Sequence, residues 1–102
     1  MPRPGRQNPV TGPTGRVQTG VDPGMLLPSR SDLIRRRLDF QRQLLRHGTP
    51  RLTPIQVTTD GVIFDGHHAV RAAAEEGRLV DVTVIGFPVP ATADSILDLP
   101  VV

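Results

Sequence analysis

The chain of 102 residues contains no cysteine, which excludes disulfide bonds, a thiolate nucleophile and any zinc site built on cysteine. It also lacks tryptophan and tyrosine, and it has only three phenylalanines. The core must therefore be small and built from Val, Ile, Leu and Ala. No apolar run approaches the ~18 residues that span a membrane, and the N-terminal residues lack the basic-then-apolar order of a secretory signal. We expect no membrane partner and no signal peptide.

Lysine is absent as well, so all 12 cationic residues are arginines, and they are unevenly placed. Residues 1–51 hold ten arginines against three aspartates, whereas residues 52–102 hold two arginines against seven acids. The net charge of +2 hides this asymmetry. A basic front half is typical of chains that contact phosphate groups or an acidic partner.

Glycine and proline are abundant, with 10 and 11 residues respectively. Many of them fall in residues 1–24, where apolar periodicity is missing. Such a segment buries too little surface to offset the entropy lost on ordering. We therefore predict a flexible basic arm over 1–24, with a leader or linker favoured over a functional arm. A single domain is predicted over 25–102, and its final part, 87–102, is predicted to be an irregular tail.

Apolar spacing predicts an amphipathic helix over 31–47, begun by Ser31 and Asp32 as N-cap residues and ended by Gly48. We expect Ile34, Leu38 and Leu45 to pack on a sheet, while the opposite arginine face, which includes Arg36, is exposed to solvent. The buried partners expected on the sheet side are Ile55, Val57, Ile63, Val70, Val82 and Val84.

Alternating patterns predict strands at 55–58, 62–64 and 80–85. An Ala-rich helix is predicted over 67–76 and ends at Gly77. The order is helix, hairpin, helix, strand, which indicates an α/β (α+β) domain with a short mixed sheet and two main helices.

One group of residues can carry chemistry: Asp65, Gly66, His67 and His68, where a strand passes into a helix. The first N–H groups of a helix lack internal partners, and together with the helix dipole they attract phosphate. Gly66 permits close approach of a ligand. The two histidines can donate to phosphate oxygens or transfer a proton near neutral pH. Arg71 lies one turn later and is expected to reach the same phosphate.

The alternative interpretation of the same residues is a structural turn. Asp65 would then be the N-cap of the helix, Gly66 would close the turn, His67 would be exposed and His68 partly buried. A metal site is the weaker interpretation, since adjacent histidines point in different directions and no H-E-x-x-H spacing is present. Asp65 is the candidate ligand if the metal is Mg²⁺.

Several motifs occur in a set order, namely Thr53-Pro54-Ile55, Asp60-Gly61, the Asp65-Gly66-His67-His68 box, Arg71-Ala72-Ala73 and Gly77. With this order, residues 28–86 resemble the core of the ParB/sulfiredoxin-like superfamily, which includes ParB-like nuclease domains. The resemblance implies a nucleotide-binding fold whose box holds phosphates, with Mg²⁺ and ATP or CTP as cofactors. It is closest to short stand-alone members and to bacterial toxin domains. It therefore implies a cytoplasmic bacterial protein or a delivered effector, with an acidic, immunity-type protein as a further partner.

The chain also departs from the family's pattern. Ala69 stands where the box arginine is expected, and Arg71 is the candidate to replace it. The sulfiredoxin cysteine is missing, which excludes sulfinic-acid repair. The second arginine-rich box and the helix-turn-helix domain of chromosome-partition proteins are missing too, so we expect no DNA-partition clamp.

Two functions follow as hypotheses. The first is an enzyme acting on phosphate esters or anhydrides, that is, a nuclease, a nucleotide hydrolase or a phosphotransferase. Asp65, His67 and His68 would be its catalytic residues, and Gly66, both histidines and Arg71 would bind phosphate. The second is a non-catalytic module whose basic helix binds nucleic acid or an acidic protein.

Overall fold

The computed structural model describes residues 7–49 and 54–102, and it shows an α+β domain with a four-stranded mixed sheet and two α-helices. The predicted fold class is confirmed. The elements are β1 (Val17–Val21), α1 (Arg35–Arg46), β2 (Ile55–Thr58), β3 (Ile63–Asp65), α2 (His67–Glu75) and β4 (Val80–Ile85), with single 3₁₀ turns at Pro23–Met25 and Ile96–Asp98. Residues 1–6 of the predicted arm and Thr53 of the family motif lie outside the described residues.

The strand order in the sheet is β1-β4-β2-β3. β2 and β3 form the predicted antiparallel hairpin, and Gly61 adopts a φ of +80° in the turn between them. β2 and β4 pair in parallel. A parallel pair needs a crossover connection, and α2 provides it. The sheet therefore places the end of β3 directly at the start of α2.

The predicted arm over 1–24 is wrong for its last part, because β1 pairs antiparallel with β4 at the edge of the sheet. The strand is exposed except at half-buried Gln18 and buried Val21, and it contains Gly20 at a φ of +69°. It therefore shows no apolar periodicity. Its position depends on hydrogen bonds to a strand about 60 residues further along the chain, as in the pairing of Gln18 with Val82.

The side chain of Gln18 also organises the loop that precedes β1. Its Oε1 accepts the N–H groups of Thr11 and Gly12 at 2.8 and 2.9 Å, and its Nε2 donates to the carbonyl of Pro9 at 2.8 Å. Val10 is buried in the core beside this loop. One amide side chain thus replaces the missing secondary structure in a segment rich in proline and glycine.

Helix α1 begins at Arg35 rather than at residue 31, and its N-cap, Ile34, makes no side-chain capping bond. The predicted capping role of Ser31 and Asp32 is therefore wrong. The C-terminal end of the chain takes that place. Leu33 forms a parallel bridge with Val101, and the N–H of Arg35 donates to the carbonyl of Val102 at 2.7 Å. This pairing holds the residues before α1 extended and delays the start of the helix.

The core lies between the sheet and α2. Its buried residues include those predicted on the sheet side, namely Ile55, Val57, Ile63, Val70, Val82 and Val84. Side chains of the opposite parity, such as Gln56 and Thr83, are only half-buried. One face of the sheet is therefore covered by α2, as the alternation of apolar and polar residues requires.

Helix α1 packs chiefly against α2, which corrects the expectation that it packs on the sheet. Leu38 is fully buried, but Ile34 and Leu45 are only half-buried. A groove of about 480 Å³ lies between the second half of α1 and the sheet. Arg42 joins the two helices through a bidentate pair with Glu75 at 2.8 and 2.7 Å.

The longest helix of the described ranges has 12 residues, and none of their helices is long and apolar enough to cross a membrane.

The burial of α1 makes a first prediction. Leu38→Ala should lower the free energy of unfolding by about 2–4 kcal/mol, because it leaves a cavity at a fully buried position. Arg36→Ala, on the exposed face of the same helix, should stay within about 0.5 kcal/mol of the parent. Urea unfolding followed by circular dichroism measures both. A larger loss from the arginine change would mean that the helix is turned the other way.

Candidate anion-binding site

The junction between β3 and α2 depends on a single glycine. Gly66 is the N-cap of α2 with a φ of +100°, a left-handed conformation that favours glycine. No side chain caps the helix, so the alternative role of Asp65 as N-cap is wrong. The first helical bond runs from the N–H of Val70 to the carbonyl of Gly66 at 3.0 Å. The preceding N–H groups of α2 therefore have no partner within the helix.

His67 is buried, with 5% of its surface exposed. Its Nε2 accepts the backbone N–H of Ser29 at 3.0 Å. The hydroxyl of Ser29 donates to the carbonyl of Ile63 at 2.6 Å, which fixes the same loop to β3. Burial lowers the pKa of His67 to about 4, and the nearby positive charge of Arg30 lowers it further in the same direction. The imidazole is therefore neutral near pH 7.

His68 makes the equivalent bond to the next part of the loop. Its Nε2 accepts the backbone N–H of Ile34, the N-cap of α1, at 3.0 Å. The ring is half-buried. Burial lowers its pKa, and the charges of Arg30 and Arg37 add to that effect.

These two bonds determine which nitrogen of each imidazole ring carries the proton. A nitrogen that accepts an N–H carries no proton, so the proton of each neutral imidazole must be on Nδ1. Nε2 of each ring is engaged with backbone, and it is neither a phosphate donor nor a free base. His67 and His68, predicted as phosphate ligands and catalytic groups, hold the loop that links the 3₁₀ turn at Pro23–Met25 to α1. Only the Nδ1–H groups remain as donors.

A polar pocket of about 190 Å³ lies at the start of α2. It is lined by residues of the box and by side chains from the loop and α1, namely Asp65, Gly66, His67, His68, Ala69, Arg30, Arg37 and Gln41. The predicted box residues are thus brought together here.

The charges of this pocket are unbalanced. It is lined by two arginines, Arg30 and Arg37, and by a single carboxylate, that of Asp65. The Nε of Arg30 donates to the carbonyl of Asp32 at 3.1 Å, which leaves the four N–H donors of its two Nη groups. Arg37 makes no ion pair with any residue of 7–49 or 54–102. Together with the free N–H groups of α2, these cations make the pocket attractive to an anion.

Arg71 does not reach this pocket, contrary to the sequence prediction. Its Nη1 donates to the carbonyls of Ile96 and Leu99 at 3.3 and 2.9 Å, and its Nε pairs with Glu75 at 3.1 Å. The guanidinium therefore holds the C-terminal tail on α2. Among the described residues, the arginines that line the pocket are Arg30 and Arg37.

Sequence reasoning missed these two arginines because both lie about 30 residues from the box. Arg37 belongs to the predicted arginine face of the helix, and its place there does not distinguish it from its neighbours. Arg30 precedes the helix and belongs to no periodic pattern. Long-range hydrogen bonds, among them those to His67 and His68, bring this segment to the start of α2.

The described part of the chain contains no group of three His, Asp or Glu side chains placed to hold a metal ion. Asp65 is the one carboxylate of the pocket. It can contribute a single oxygen-donor ligand to Mg²⁺, whose remaining positions would need phosphate oxygens and water.

A scan against protein-family models, a search of curated proteins and a search of solved structures each found no match. The resemblance to the ParB/sulfiredoxin-like superfamily therefore rests on the order of its motifs. The function has to be argued from the pocket itself.

The neutral state of His67 predicts a pH-dependent stability. Its pKa is about 4 in the folded chain against 6.5 in the absence of the fold, so the unfolded chain binds the proton more readily between these values. Stability is then complete above about pH 6.5 and falls as the pH drops toward 4. With a discount for solvent screening, we expect a loss of roughly 1–2 kcal/mol between pH 7 and pH 5, measured by urea unfolding.

His67→Gln is the matched variant, since it keeps an acceptor but does not titrate. Its stability should be flatter between pH 5 and pH 7. The same slope in the parent and the variant would show that His67 is not the titrating group.

The position of Arg71 makes a separate prediction. Arg71→Ala should lower the free energy of unfolding by about 2 kcal/mol, because two carbonyls of the tail lose a charged donor. It should leave the affinity for phosphate compounds unchanged. Chemical unfolding and calorimetric titration of the same sample test both parts. Weaker phosphate binding by a fully folded variant would show that Arg71 contributes to the site.

Proposed function

We propose that this domain binds a phosphate group of a nucleotide or nucleic acid in the pocket at the start of α2. One observation carries the proposal, namely that Arg30 and Arg37 converge on a helix N-terminus where Asp65 is the only acid. Charge-assisted hydrogen bonds from guanidinium groups to phosphate oxygens are among the strongest polar contacts in proteins. The pocket therefore favours a group with several anionic oxygens.

The backbone supports the same ligand class. Gly66 has no side chain to occupy the approach to the free N–H groups of α2. Those groups donate to oxygen and cannot accept, so they discriminate against a cation. The Nδ1–H groups of His67 and His68 are also donors, because Nε2 of each ring already accepts a backbone N–H. A doubly charged oxyanion is matched by donors from the loop, from α1 and from α2.

Membership of the ParB/sulfiredoxin-like superfamily is part of this proposal. Its support is the place of the box, at a strand-to-helix junction whose helix crosses over to a parallel strand. A nucleotide such as ATP or CTP, with Mg²⁺ at the carboxylate of Asp65, is the ligand that this membership implies.

Cleavage or transfer of the bound phosphate is the second candidate function. The observation that favours it is the carboxylate of Asp65 in the same pocket as the two arginines. Release of inorganic phosphate from ATP or CTP, or shortening of an oligonucleotide, would be measured with and without Mg²⁺. Turnover that disappears in Asp65→Asn while nucleotide binding persists would establish an enzyme, whereas binding without turnover would establish a binding module.

The binding proposal predicts a selective effect of two cations. Arg30→Ala and Arg37→Ala should each weaken binding of pyrophosphate, ATP or CTP by about tenfold or more, since each removes a charged donor worth roughly 1.5–3 kcal/mol. Isothermal titration calorimetry measures the affinities. Arg46→Ala is the control, because Arg46 is exposed in the last turn of α1 and does not line the pocket.

Gly66→Val should abolish binding, because its φ of +100° disfavours a side chain and valine would crowd the N–H groups. The proposal is overturned if the parent protein binds none of these compounds below millimolar concentration. It is equally overturned if Arg30→Ala and Arg37→Ala bind as tightly as Arg46→Ala.

A further inference from the structure

We propose that the arginine face of α1 extends the anion pocket into a binding surface for single-stranded nucleic acid, on which Phe40 stacks against a base. The proposal rests on the proposed function, because the pocket at the start of α2 would hold one phosphate of the strand. It adds the class of ligand and a second contact of different chemistry.

The second contact of the proposed surface is the aromatic side chain of Phe40. It lies in the middle of α1 with 58% of its surface exposed, in a chain that has only three aromatic residues. It lines two adjoining hollows of about 510 and 410 Å³. Arg36 lines both of them as well, one helical turn before Phe40. An apolar ring is thus kept in solvent beside a guanidinium group.

The second hollow connects this ring with the anion pocket. Besides Phe40 and Arg36, it is lined by Arg37, Gln41 and His68, and these three residues also line the anion pocket. Two cavities that share three side chains form one continuous surface. A ligand that placed a phosphate at the start of α2 would extend over Arg37 toward Phe40.

The charge of this surface is suited to a polyanion. Within the described ranges, Arg35, Arg36 and Arg37 make no ion pair. The one acid among the lining residues of α1, Asp39, is already paired with Arg42 at 2.7 Å. The surface therefore carries consecutive arginines without paired counter-charges, since Asp39 is engaged by Arg42. Successive phosphates of a strand would supply those counter-charges and release their own bound cations.

The exposed ring favours a single strand over other polyanions. Bases of a single strand can leave their stack and place a face on an aromatic side chain, and every base has such a face. In a duplex both faces of each base are covered by neighbouring pairs. An acidic protein could pair with the arginines, but its carboxylates are repelled by the negative face of the Phe40 ring. The combination of ring and arginines thus points to unpaired nucleotides.

Fluorescence anisotropy with the full chain tests the proposal. The probes are labelled oligothymidylate and oligouridylate of about 12 nucleotides, a duplex of the same length and a polyglutamate peptide. We expect binding of the single strands that weakens with salt. Binding of the duplex and of the peptide should be at least tenfold weaker. Equal binding of duplex and single strand, or preferred binding of the peptide, would overturn the proposal.

The decisive variant is Phe40→Ala, which should weaken single-strand binding by about tenfold through loss of stacking. Phe87→Ala is the matched control, because Phe87 is 51% exposed, packs edge-on against Phe64 and lines neither hollow nor the anion pocket. Thermal unfolding of both variants checks that they are folded. Equal single-strand affinity in the two variants would overturn the stacking contact and the proposal with it.

The dependence of affinity on salt concentration distinguishes the contribution of the arginines from that of the Phe40 ring. Arg36→Ala should reduce the slope of log affinity against log salt concentration by about 0.7, as expected for one phosphate contact on a single strand. Arg16→Ala, an exposed arginine next to β1, should leave the slope unchanged. An unchanged slope for Arg36→Ala would contradict the proposed path of the strand.

The outcome is also distinguishable from failure of the proposed function. Pyrophosphate titrations report on the anion pocket alone. If pyrophosphate binds and depends on Arg30 but no oligonucleotide binds, the pocket stands and the extended surface is rejected. If oligonucleotides bind through Phe40 but pyrophosphate does not bind, the link between surface and pocket is rejected, and with it this proposal.

Discussion

The structure around the site depends on two hydrogen bonds in which histidine rings accept backbone N–H groups. Nε2 of His67 and Nε2 of His68 hold Ser29 and Ile34, which lie 38 and 34 residues earlier in the chain. The loop between these two points carries Arg30, and the helix that follows carries Arg37. Fixing the loop at the start of α2 therefore places both cations there. The histidines position the arginines and are not themselves the principal cations of the pocket.

The C-terminal tail holds the same loop from the other side. The N–H of Thr92 donates to the carbonyl of Pro28 at 2.9 Å, and its hydroxyl donates to the carbonyl of Arg30. Further along the tail, Val102 exchanges hydrogen bonds with Leu33 and Arg35. Arg71 then fixes the tail to α2 through two of its carbonyls. The loop that carries Arg30 is thus bonded to the tail as well as to the two histidines.

The two proposals describe one surface. Burial and neighbouring positive charge keep both imidazoles neutral, so the bonds to the loop persist near neutral pH. The positive charge of the site is therefore supplied by arginines, which stay charged at every physiological pH. The same helix, α1, carries Arg37 at the pocket and Phe40 beyond it. Packing of α1 on α2, rather than on the sheet, is what aligns the two.

Local sequence determined those parts of the protein whose causes are local. Alternation of apolar residues predicts Ile55–Thr58 and Val80–Ile85 with their observed bounds, and the Ala-rich run ended by Gly77 predicts α2 to within one residue. The junction at Gly66 is also predictable from local sequence, because a glycine between a strand and a helix indicates a turn there.

Tertiary structure alone decided β1, the start of α1 and the cations of the site. Each depends on a partner far along the chain: β4 for β1, Val102 for Arg35, and His67 for the loop of Arg30. Helix spacing predicts Arg71 beside the box, but the carbonyls of Ile96 and Leu99 in the tail bind its guanidinium instead. A pattern of neighbouring residues carries no information about such long-range hydrogen bonds, which form only when the fold brings donor and acceptor together.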